Sequence, residues 1–490
     1  MPTEASEINF GGETVKATVA KIAMAISGFV GTVLFARLLD PALLGGFYLL
    51  FGLVKIADRP IYGWAIATKK RFSEPSIRDS SILGAQIIFI LIWLTLVAVV
   101  SYFLSGWLRA YTKLSAAPML FIVLLISEPV YEPLEKLLQG RGQISIATWS
   151  DTFRSYLTLP LQLMFVLAGF GAAGLVYGLA SATVLSVPLV LYFLRTPPAL
   201  PSVSLLQSLW QYAQYSIPSG FFGTIYDRFD VLLLGVLATP AAAGYYEIAA
   251  KLTLPAVFIS SAAASGLMAR VSNLQSKQQD VASDITNTLA FSSILAIPIF
   301  FGALALPKAL IITFYGAEYA PAATLLVAIA AYRVTKSQNA PLTQTVNGLD
   351  RPDMTMRISA VTLAINVVLG VLLVRQIGPV GVAIATLLAE VIRYLLLSII
   401  VNKYTTGVKL LPEALLKQFG AGILMFAVVS LFRHTLSVKS YLGLLLLLTI
   451  GAITYGTTFL ISSNQSRQLI RDSLEDSMIE ELFPNQISNR

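Results

Sequence analysis

Residues 82–104 read ILGAQIIFILIWLTLVAVVSYFL, and this stretch contains no charged side chain. A helix needs about 20 mostly apolar residues to cross the hydrocarbon core of a bilayer, so the segment is long enough to span a membrane. The whole chain of 490 residues is 56% hydrophobic and only 12% charged, with a mean hydropathy of +0.74. Soluble domains carry about 25% charged residues, so the composition excludes a water-soluble fold.

Two residue types that carry much enzyme chemistry are almost missing. The chain has no cysteine, so it offers no disulfide framework, zinc–thiolate site or thiol nucleophile. Its single histidine, His434, lies in a predicted surface loop, which leaves no catalytic triad and no multi-histidine metal site. We therefore expect no catalytic residue, no metal and no cofactor. The net charge of +8 belongs to loops that orient membrane helices, so we expect no nucleic-acid partner.

Segments of suitable length and hydrophobicity for spanning a membrane follow one another along the whole chain. The predicted spans are 15–38, 43–68, 82–104, 116–138, 145–168, 172–194, 206–237, 242–268, 286–306, 321–346, 358–374, 380–401, 415–432 and 441–461. The longest predicted outer loop, 307–320, leaves no room for a folded soluble domain. The expected fold is an all-α polytopic membrane protein with about 14 transmembrane helices.

Lysines and arginines are distributed unevenly between the two sides of these spans. If the N terminus is cytosolic, most basic loop residues, including the run Lys69–Arg71, fall on the cytosolic side. The other side carries Arg37, Arg109, Lys113, Lys308, Arg375, Arg433 and Lys439. Because positive loops stay in the cytosol, we expect a multi-pass protein of the plasma membrane with both termini cytosolic. The polar, acidic start Met1–Thr14 is not typical of a cleavable signal peptide.

Three short motifs recur in the same order about 200 residues apart, which indicates an internal repeat. The pairs are Pro41–Phe47 with Pro240–Tyr246, Leu138–Gly140 with Val346–Gly348, and Gly171–Gly174 with Gly378–Gly381. Each pair occupies the same place in a scheme of six helices per repeat. Since six is even, both copies insert in the same orientation and are related by an axis along the membrane normal.

The repeat predicts the domain organisation. We expect an N-terminal six-helix lobe at 1–200 and a C-terminal six-helix lobe at 201–405. An additional helix pair at 406–462 and a cytosolic tail at 463–490, with a weak amphipathic pattern, complete the chain.

The order and spacing of several motifs resemble those of polysaccharide exporters in the multidrug/oligosaccharidyl-lipid/polysaccharide exporter superfamily. The closest likeness is Asp227–Gly235, followed by Pro240 and Gly244–Tyr246, which is similar to the family pattern D-x-x-x-L-G and G-x-Y. The other segments that carry the resemblance are 36–41, 45–48, 57–59, Gly63, 69–71, Asn366 and 377–386. Together these segments extend the resemblance from about residue 10 to about residue 405.

The resemblance implies an O-antigen flippase-like protein. Such a protein translocates an oligosaccharide or polysaccharide precursor, linked to polyprenyl phosphate or pyrophosphate, from the cytosolic to the outer leaflet by alternating access. It also implies a cationic cavity between the lobes, lipid-linked glycan and membrane lipids as partners, glycosyltransferases of the same pathway nearby, and a monomer. The arginine cluster in the first helix of lipid II flippases is not matched, because only Lys21 and Arg37 are basic there. This argues against a peptidoglycan precursor.

Charged residues inside membrane helices are costly and usually face a cavity or a partner. The candidate substrate-binding cations are Lys55, Arg59, Arg154, Arg228, Arg333 and Lys336, since arginine and lysine bind phosphate well. The candidates for ion coupling or gating are Glu128, Asp58, Asp230 and Glu390. Internal ion pairs are the alternative for most of them. Arg333 and Lys336 have no acid nearby in sequence, which favours a cavity role.

Two other functions stay open. A cation-coupled multidrug antiporter of the same superfamily would need an acid-lined rather than a base-lined cavity. A membrane glycosyltransferase or polysaccharide polymerase would need a sizeable outer loop or domain, which the predicted loops do not provide. The sequence therefore favours a transporter over an enzyme.

Overall fold

The computed structural model describes residues 10–74, 79–436 and 440–463, with side chains described from residue 24 onward. All regular structure within these ranges is helical, which confirms the all-α class. The side chain of Lys21, residue Lys439 and the predicted amphipathic tail after residue 463 lie outside the described residues.

The helices of the described ranges follow one another with short connections. They are α1 (Phe10–Leu38), α2 (Pro41–Ala57), α3 (Arg59–Phe72), α4 (Asp79–Phe103), α5 (Ser105–Thr112), α6 (Ala117–Gly140), α7 (Ile144–Phe165), α8 (Ala172–Leu194), α9 (Val203–Leu237), α10 (Pro240–Leu252), α11 (Phe258–Ser276), α12 (Ala282–Ser292), α13 (Ala296–Ala305), α14 (Pro307–Tyr315), α15 (Ala322–Gly348), α16 (Pro352–Ile377), α17 (Val380–Tyr404), α18 (Glu413–Phe432) and α19 (Tyr441–Ser462). A π-helical turn (Val166–Phe170) follows α7, and 3₁₀ turns occur at Leu254–Val257 and Ala317–Tyr319.

Each predicted span coincides with one of these helices or with two consecutive ones. Within the described ranges, ten helical segments are long and apolar enough to cross a membrane, or eleven if the bent pair α2–α3 is one span. The helices α9 and α15 are not among them, because polar side chains interrupt their apolar sequence. A multi-pass membrane protein is therefore established, while the count of fourteen spans stays a prediction.

The predicted outer loop 307–320 is wrong in its local structure, because most of it is helical. Pro307 lies in the first turn of α14, where its missing N–H costs no helical hydrogen bond. Leu310, Ile311 and Tyr315 are buried, so packing of their side chains stabilises this short helix. The helix ends at Gly316, which has a φ of 109°.

The chain divides into two compact units, residues 1–248 and 249–490. The first unit contains α1–α9 and most of α10, and the second contains α11–α19. The pair α18–α19, predicted as an addition to the repeat, belongs to the second unit. The four domain ranges derived from the repeat stay predictions.

A break between α12 and α13 shows how polar side chains fix the second unit. The break lies between Ser292 and Ala296, where the regular hydrogen bonds of the helix are interrupted. Gln338 Nε2 donates to the Leu289 carbonyl at 3.1 Å, and Gln418 Nε2 donates to the Ala290 carbonyl at 2.7 Å. Backbone groups in a membrane must be satisfied by protein, so these two amides hold α15 and α18 against the break.

A bend of 45° between α2 and α3 shapes the first unit. Pro60, in the first turn of α3, has no N–H to donate to the preceding turn, so the helix bends there. The Trp93 indole N–H donates to the Ala57 carbonyl at 2.8 Å and satisfies an acceptor at the bend. The bend places Asp58 and Arg59 at the junction of the two helices.

The repeated motifs occupy equivalent helix ends. Pro41 begins α2 and Pro240 begins α10, while Gly140 ends α6 and Gly348 ends α15. The positive-φ residues Gly171 (54°) and Gly378 (73°) lie shortly before α8 and α17. Each matched pair of sequence motifs therefore lies at the same kind of helix end in the structure.

The first pair of motifs also packs against itself. A Cβ atom built on Gly45 would lie 1.7 Å from the Pro240 carbonyl oxygen, and one built on Gly244 would lie 2.5 Å from the Pro41 carbonyl oxygen. The first turns of α2 and α10 thus approach each other so closely that only glycine fits at either position.

We expect Gly45→Ala to lower the free energy of unfolding by about 1–3 kcal/mol, the usual cost of overpacking, because backbone must move to admit the methyl group. The control is Gly106→Ala in α5, where a Cβ would have open space within 4 Å. The control should melt at the wild-type temperature or slightly above it. The melting temperatures of the purified variants in detergent measure the effect, and equal values for both variants would refute the close contact.

Candidate functional site

The predicted site residues fall into three groups. The first group, at the bend between α2 and α3 and on α6 and α7, consists of Lys55, Asp58, Arg59, Glu128 and Arg154. The second group, on α9, consists of Arg228 and Asp230. The third group, on α15 and α17 of the second unit, consists of Arg333, Lys336 and Glu390.

Lys55 is the centre of the first group. Its Nζ lies 2.8 Å from Glu128 Oε2, 2.8 Å from Glu132 Oε1 and 3.4 Å from Asp58 Oδ2. The Lys55 side chain is 14% exposed, whereas those of Glu128 and Asp58 are only 2% exposed. One ammonium group therefore contacts three carboxylates, two on α6 and one at the junction of α2 and α3.

The two arginines of this group complete the ion pairs. Arg59 Nε lies 2.7 Å from Asp58 Oδ1, and Arg59 Nη2 lies 3.3 Å from Glu132 Oε2. Arg154 Nη1 lies 3.2 Å from Glu128 Oε1, and Arg154 Nη2 lies 3.1 Å from Asp151 Oδ1. Each predicted cation of the first group is thus bound by acids of the protein itself.

We call these seven residues the first-unit charge cluster: Lys55, Asp58, Arg59, Glu128, Glu132, Asp151 and Arg154. Three bases face four acids, so the cluster has a formal charge of −1 when all its members are ionised. An excess carboxylate in a membrane domain is a suitable place for an added proton or cation. A coupling role for Glu128 or Asp58 stays a prediction.

Glu132 and Asp151 are cluster members that the sequence reasoning did not select. Both had a visible signal, since Glu132 follows Glu128 by four residues and Asp151 precedes Arg154 by three. The helix α6 carries Pro129 and Pro133 directly after the two glutamates.

The second group makes its polar contacts with residues of α10. Arg228 Nη1 lies 3.2 Å from Glu247 Oε1 on α10, and Asp230 Oδ2 accepts a hydrogen bond of 2.5 Å from the Tyr246 hydroxyl. Two cations lie near the Phe51 ring, with Arg228 Cζ at 5.6 Å and Lys55 Nζ at 5.5 Å from its centroid. This ring places the second group beside the first-unit charge cluster.

The third group differs from the others in its charge balance. Arg333 is 9% exposed, its Cζ lies 5.1 Å from the centroid of the Tyr332 ring, and its Nε has no hydrogen-bond partner. Among the residues that the structure describes, neither Arg333 nor Lys336 forms a salt bridge. Glu390 forms no salt bridge with either of these two cations in the described ranges; its Oε2 accepts a hydrogen bond of 2.6 Å from Asn339 Nδ2. The two cations of α15 are thus left without a protein counter-ion in the described ranges.

A cavity of about 270 Å³ opens beside Lys336 and is lined by residues of α11, α15 and α17. We call it the α15 cavity. Its charged and amide groups are Lys336, Asn339, Gln344, Glu390 and Arg393. Sequence reasoning did not find it, although Lys336, Asn339 and Thr343 share one face of a helix by their spacing of three and seven residues.

Comparison with known proteins identifies the family. The family described as "polysaccharide biosynthesis protein" matches residues 34–324, which is more than half of the chain. The chain belongs to this family. The matched segment includes the whole first-unit charge cluster and ends just inside α15.

Two curated relatives from the archaeon Haloferax volcanii match nearly the whole chain. One, named as a probable low-salt glycan biosynthesis flippase Agl15, is 26% identical over 451 residues and covers 91% of this chain and 95% of the relative. The other, named as a probable flippase AglR, is 25% identical over 488 residues and covers 97% of this chain and 98% of the relative.

Solved structures show the same fold. The lipid II flippase MurJ, in an inward closed conformation, superposes with a TM-score of 0.78 at 16% identity and covers 93% of this chain and 100% of that chain. An inward-facing multidrug resistance MATE transporter of the MOP superfamily superposes with a TM-score of 0.64 at 15% identity and covers 80% of this chain and 100% of that chain. The family match confirms the resemblance to polysaccharide exporters that was drawn from the sequence motifs.

Proposed function

We propose that the protein is a flippase, which moves a lipid-linked oligosaccharide or polysaccharide precursor from the cytosolic to the outer leaflet by alternating access. The family match and the names of both curated relatives support this proposal. Both names denote flippases, and one of them also names glycan biosynthesis. Polyprenyl phosphate or pyrophosphate is the proposed carrier, with its hydrocarbon chain remaining in the lipid.

The observation that carries the proposal is the unpaired charge of Arg333 and Lys336 on α15. Burial of a cation without a counter-ion is costly, so such a residue is retained where a ligand supplies the missing negative charge. The phosphate of a lipid-linked glycan is such a ligand, and an arginine can bind it through two hydrogen bonds at once. We propose Arg333 as the first contact for this phosphate.

The cations of the first-unit charge cluster have a different role in the proposed mechanism. Lys55, Arg59 and Arg154 each contact acids within 3.4 Å, so a substrate phosphate would have to displace these carboxylates. We propose that this group changes partners during transport, with Glu128 and Asp58 as the acids that gain a proton or cation. We propose the same exchange of partners for Arg228 and Asp230 on α9. Glu390 in the second unit is a further acid that would gain a proton or cation.

The setting of the protein is part of the same proposal. We place it in the plasma membrane with both termini in the cytosol, because basic residues are concentrated in the loops on that side. It acts as a monomer on a substrate that glycosyltransferases of the same pathway have assembled.

The competing functions receive less support. A cation-coupled drug antiporter would present its acids to a cavity, but Glu128 is 2% exposed and Asp230 is 8% exposed, and both are bound by basic or hydroxyl groups. A glycosyltransferase or polymerase would not explain two relatives named as flippases over more than nine-tenths of their length.

Deleting the gene should stop display of the glycan on the cell surface and cause lipid-linked glycan to accumulate inside. Surface glycan can be quantified by lectin or antibody binding to intact cells, and the lipid-linked pool by mass spectrometry of extracted lipids. A plasmid-borne wild-type copy should restore both values. Unchanged surface glycan and an unchanged lipid-linked pool in the deletion strain would refute the proposed function.

A further inference from the structure

The α15 cavity is unusual for a space among membrane helices because eight of its ten lining residues have polar side chains. Ser261 and Ser265 come from α11, Asn339, Thr343 and Gln344 come from α15, and Ala264 and Ala340 provide the apolar lining. Hydroxyl and amide groups donate and accept hydrogen bonds, and inside a bilayer they need polar partners. The lining therefore fits water or a ligand with many hydroxyl groups.

The size of the cavity limits the ligand. Its volume is about 270 Å³, slightly below the range of about 300–1,000 Å³ that is typical of pockets for drug-sized ligands. A whole oligosaccharide does not fit in this space, but one ring sugar does.

The charges of the lining indicate which kind of sugar fits. Glu390 accepts from Asn339 Nδ2 at 2.6 Å, and its Oε1 lies 3.9 Å from Arg393 Nη1. Arg393 also donates to the Ser359 hydroxyl. Lys336, in contrast, forms no salt bridge in the described part of the chain. Two cations and one carboxylate leave the cavity with a formal charge of +1, which a ligand with one negative charge would neutralise.

We propose that the α15 cavity is a subsite for a single sugar that carries a negatively charged group. Lys336 binds the charged group, and the amides of Asn339 and Gln344 with the Thr343 hydroxyl bind the ring hydroxyls. Glu390 orients Asn339 and balances Arg393. The inference rests on the proposed function, because it assigns the substrate class of that flippase as glycans that contain an acidic sugar.

The negative charge could belong to the sugar itself or to the phosphate of the carrier lipid. Three soluble probes separate these sources: glucuronate has ring hydroxyls and a carboxylate, glucose has the hydroxyls alone, and inorganic phosphate has the charge alone. Calorimetric titration of the purified full-length protein in detergent measures the affinity of each probe.

Glucuronate should bind at least about tenfold more tightly than either glucose or inorganic phosphate, since a hydrogen bond to a charged group supplies that difference. Lys336→Gln should remove the advantage of glucuronate over glucose, and Lys336→Arg should retain most of it. Lys277→Gln is the matched control, because Lys277 is an exposed lysine of the same unit outside the cavity. Equal melting temperatures establish that the compared variants are folded.

Equal affinities for glucose and glucuronate, or a glucuronate affinity that Lys336→Gln leaves unchanged, would overturn the inference. Phosphate binding as tight as that of glucuronate would assign the charge to the carrier lipid and would overturn the sugar assignment. The proposed function is tested separately by the deletion strain. Loss of surface glycan together with no preference for glucuronate would refute only the acidic-sugar subsite.

Discussion

Lys55→Met should destabilise the protein by about 3–5 kcal/mol, the usual cost of removing one partner from a buried ion pair. The lysine ammonium group contacts Glu128, Glu132 and Asp58 at 2.8, 2.8 and 3.4 Å. Without it, the first-unit charge cluster would retain four acids and two bases. Denaturant unfolding of the purified protein in detergent, followed by tryptophan fluorescence, measures the loss.

A second substitution tests whether charge imbalance is the cause. Glu128→Gln in the Lys55→Met background removes one of the crowded carboxylates, so the double variant should recover part of the lost stability. Lys55→Arg keeps the charge and should retain more stability than Lys55→Met. If Lys55→Met is as stable as the wild type but does not export glycan, Lys55 binds substrate and the cluster does not depend on it.

The sequence predicted the helical architecture well because its physical basis is local. Continuous apolar segments such as 82–104 must be helical in a bilayer, where no other single segment satisfies its own backbone. The prolines and glycines of the repeated motifs likewise determine where the helices next to them begin and end. The helical conformation of 307–320 was missed because buried contacts of Leu310 and Ile311 stabilise it, and such contacts are not visible in the sequence.

The candidate site was less predictable because its contacts join distant helices. The spacing of Asp151 and Arg154 suggested their pairing, but nothing local indicated that Lys55 would meet Glu128 and Glu132. The same limit applies to Arg228, whose nearest acids in sequence are Asp227 and Asp230, while its observed partner is Glu247. For Arg333 the sequence was more informative, since an arginine without nearby acids suggests that no local pair forms.

Arg333→Gln should reduce glycan export at least tenfold while leaving the melting temperature unchanged or higher. Arg333 is 9% exposed, has no salt bridge in the described ranges and has an Nε without a hydrogen-bond partner. A neutral amide at this position removes the cost of a buried, unpaired charge, so stability should not fall. The lost hydrogen bonds to a charged ligand account for the tenfold effect. Surface glycan is measured at matched protein levels in the complemented deletion strain.

A loss of export without a loss of stability separates a ligand-binding role from a structural one. If Arg333 has a structural role, the variant should lose stability and export together. If Arg333 binds the phosphate, the variant should lose export alone. Arg351→Gln is the matched control, because Arg351 is exposed and also stacks on a tyrosine, with its Cζ 5.1 Å from the centroid of the Tyr404 ring. This control should leave both quantities unchanged. If Arg333→Gln lowers the melting temperature and export falls only in proportion to the folded protein, then Arg333 supports the fold, and the phosphate contact must lie elsewhere.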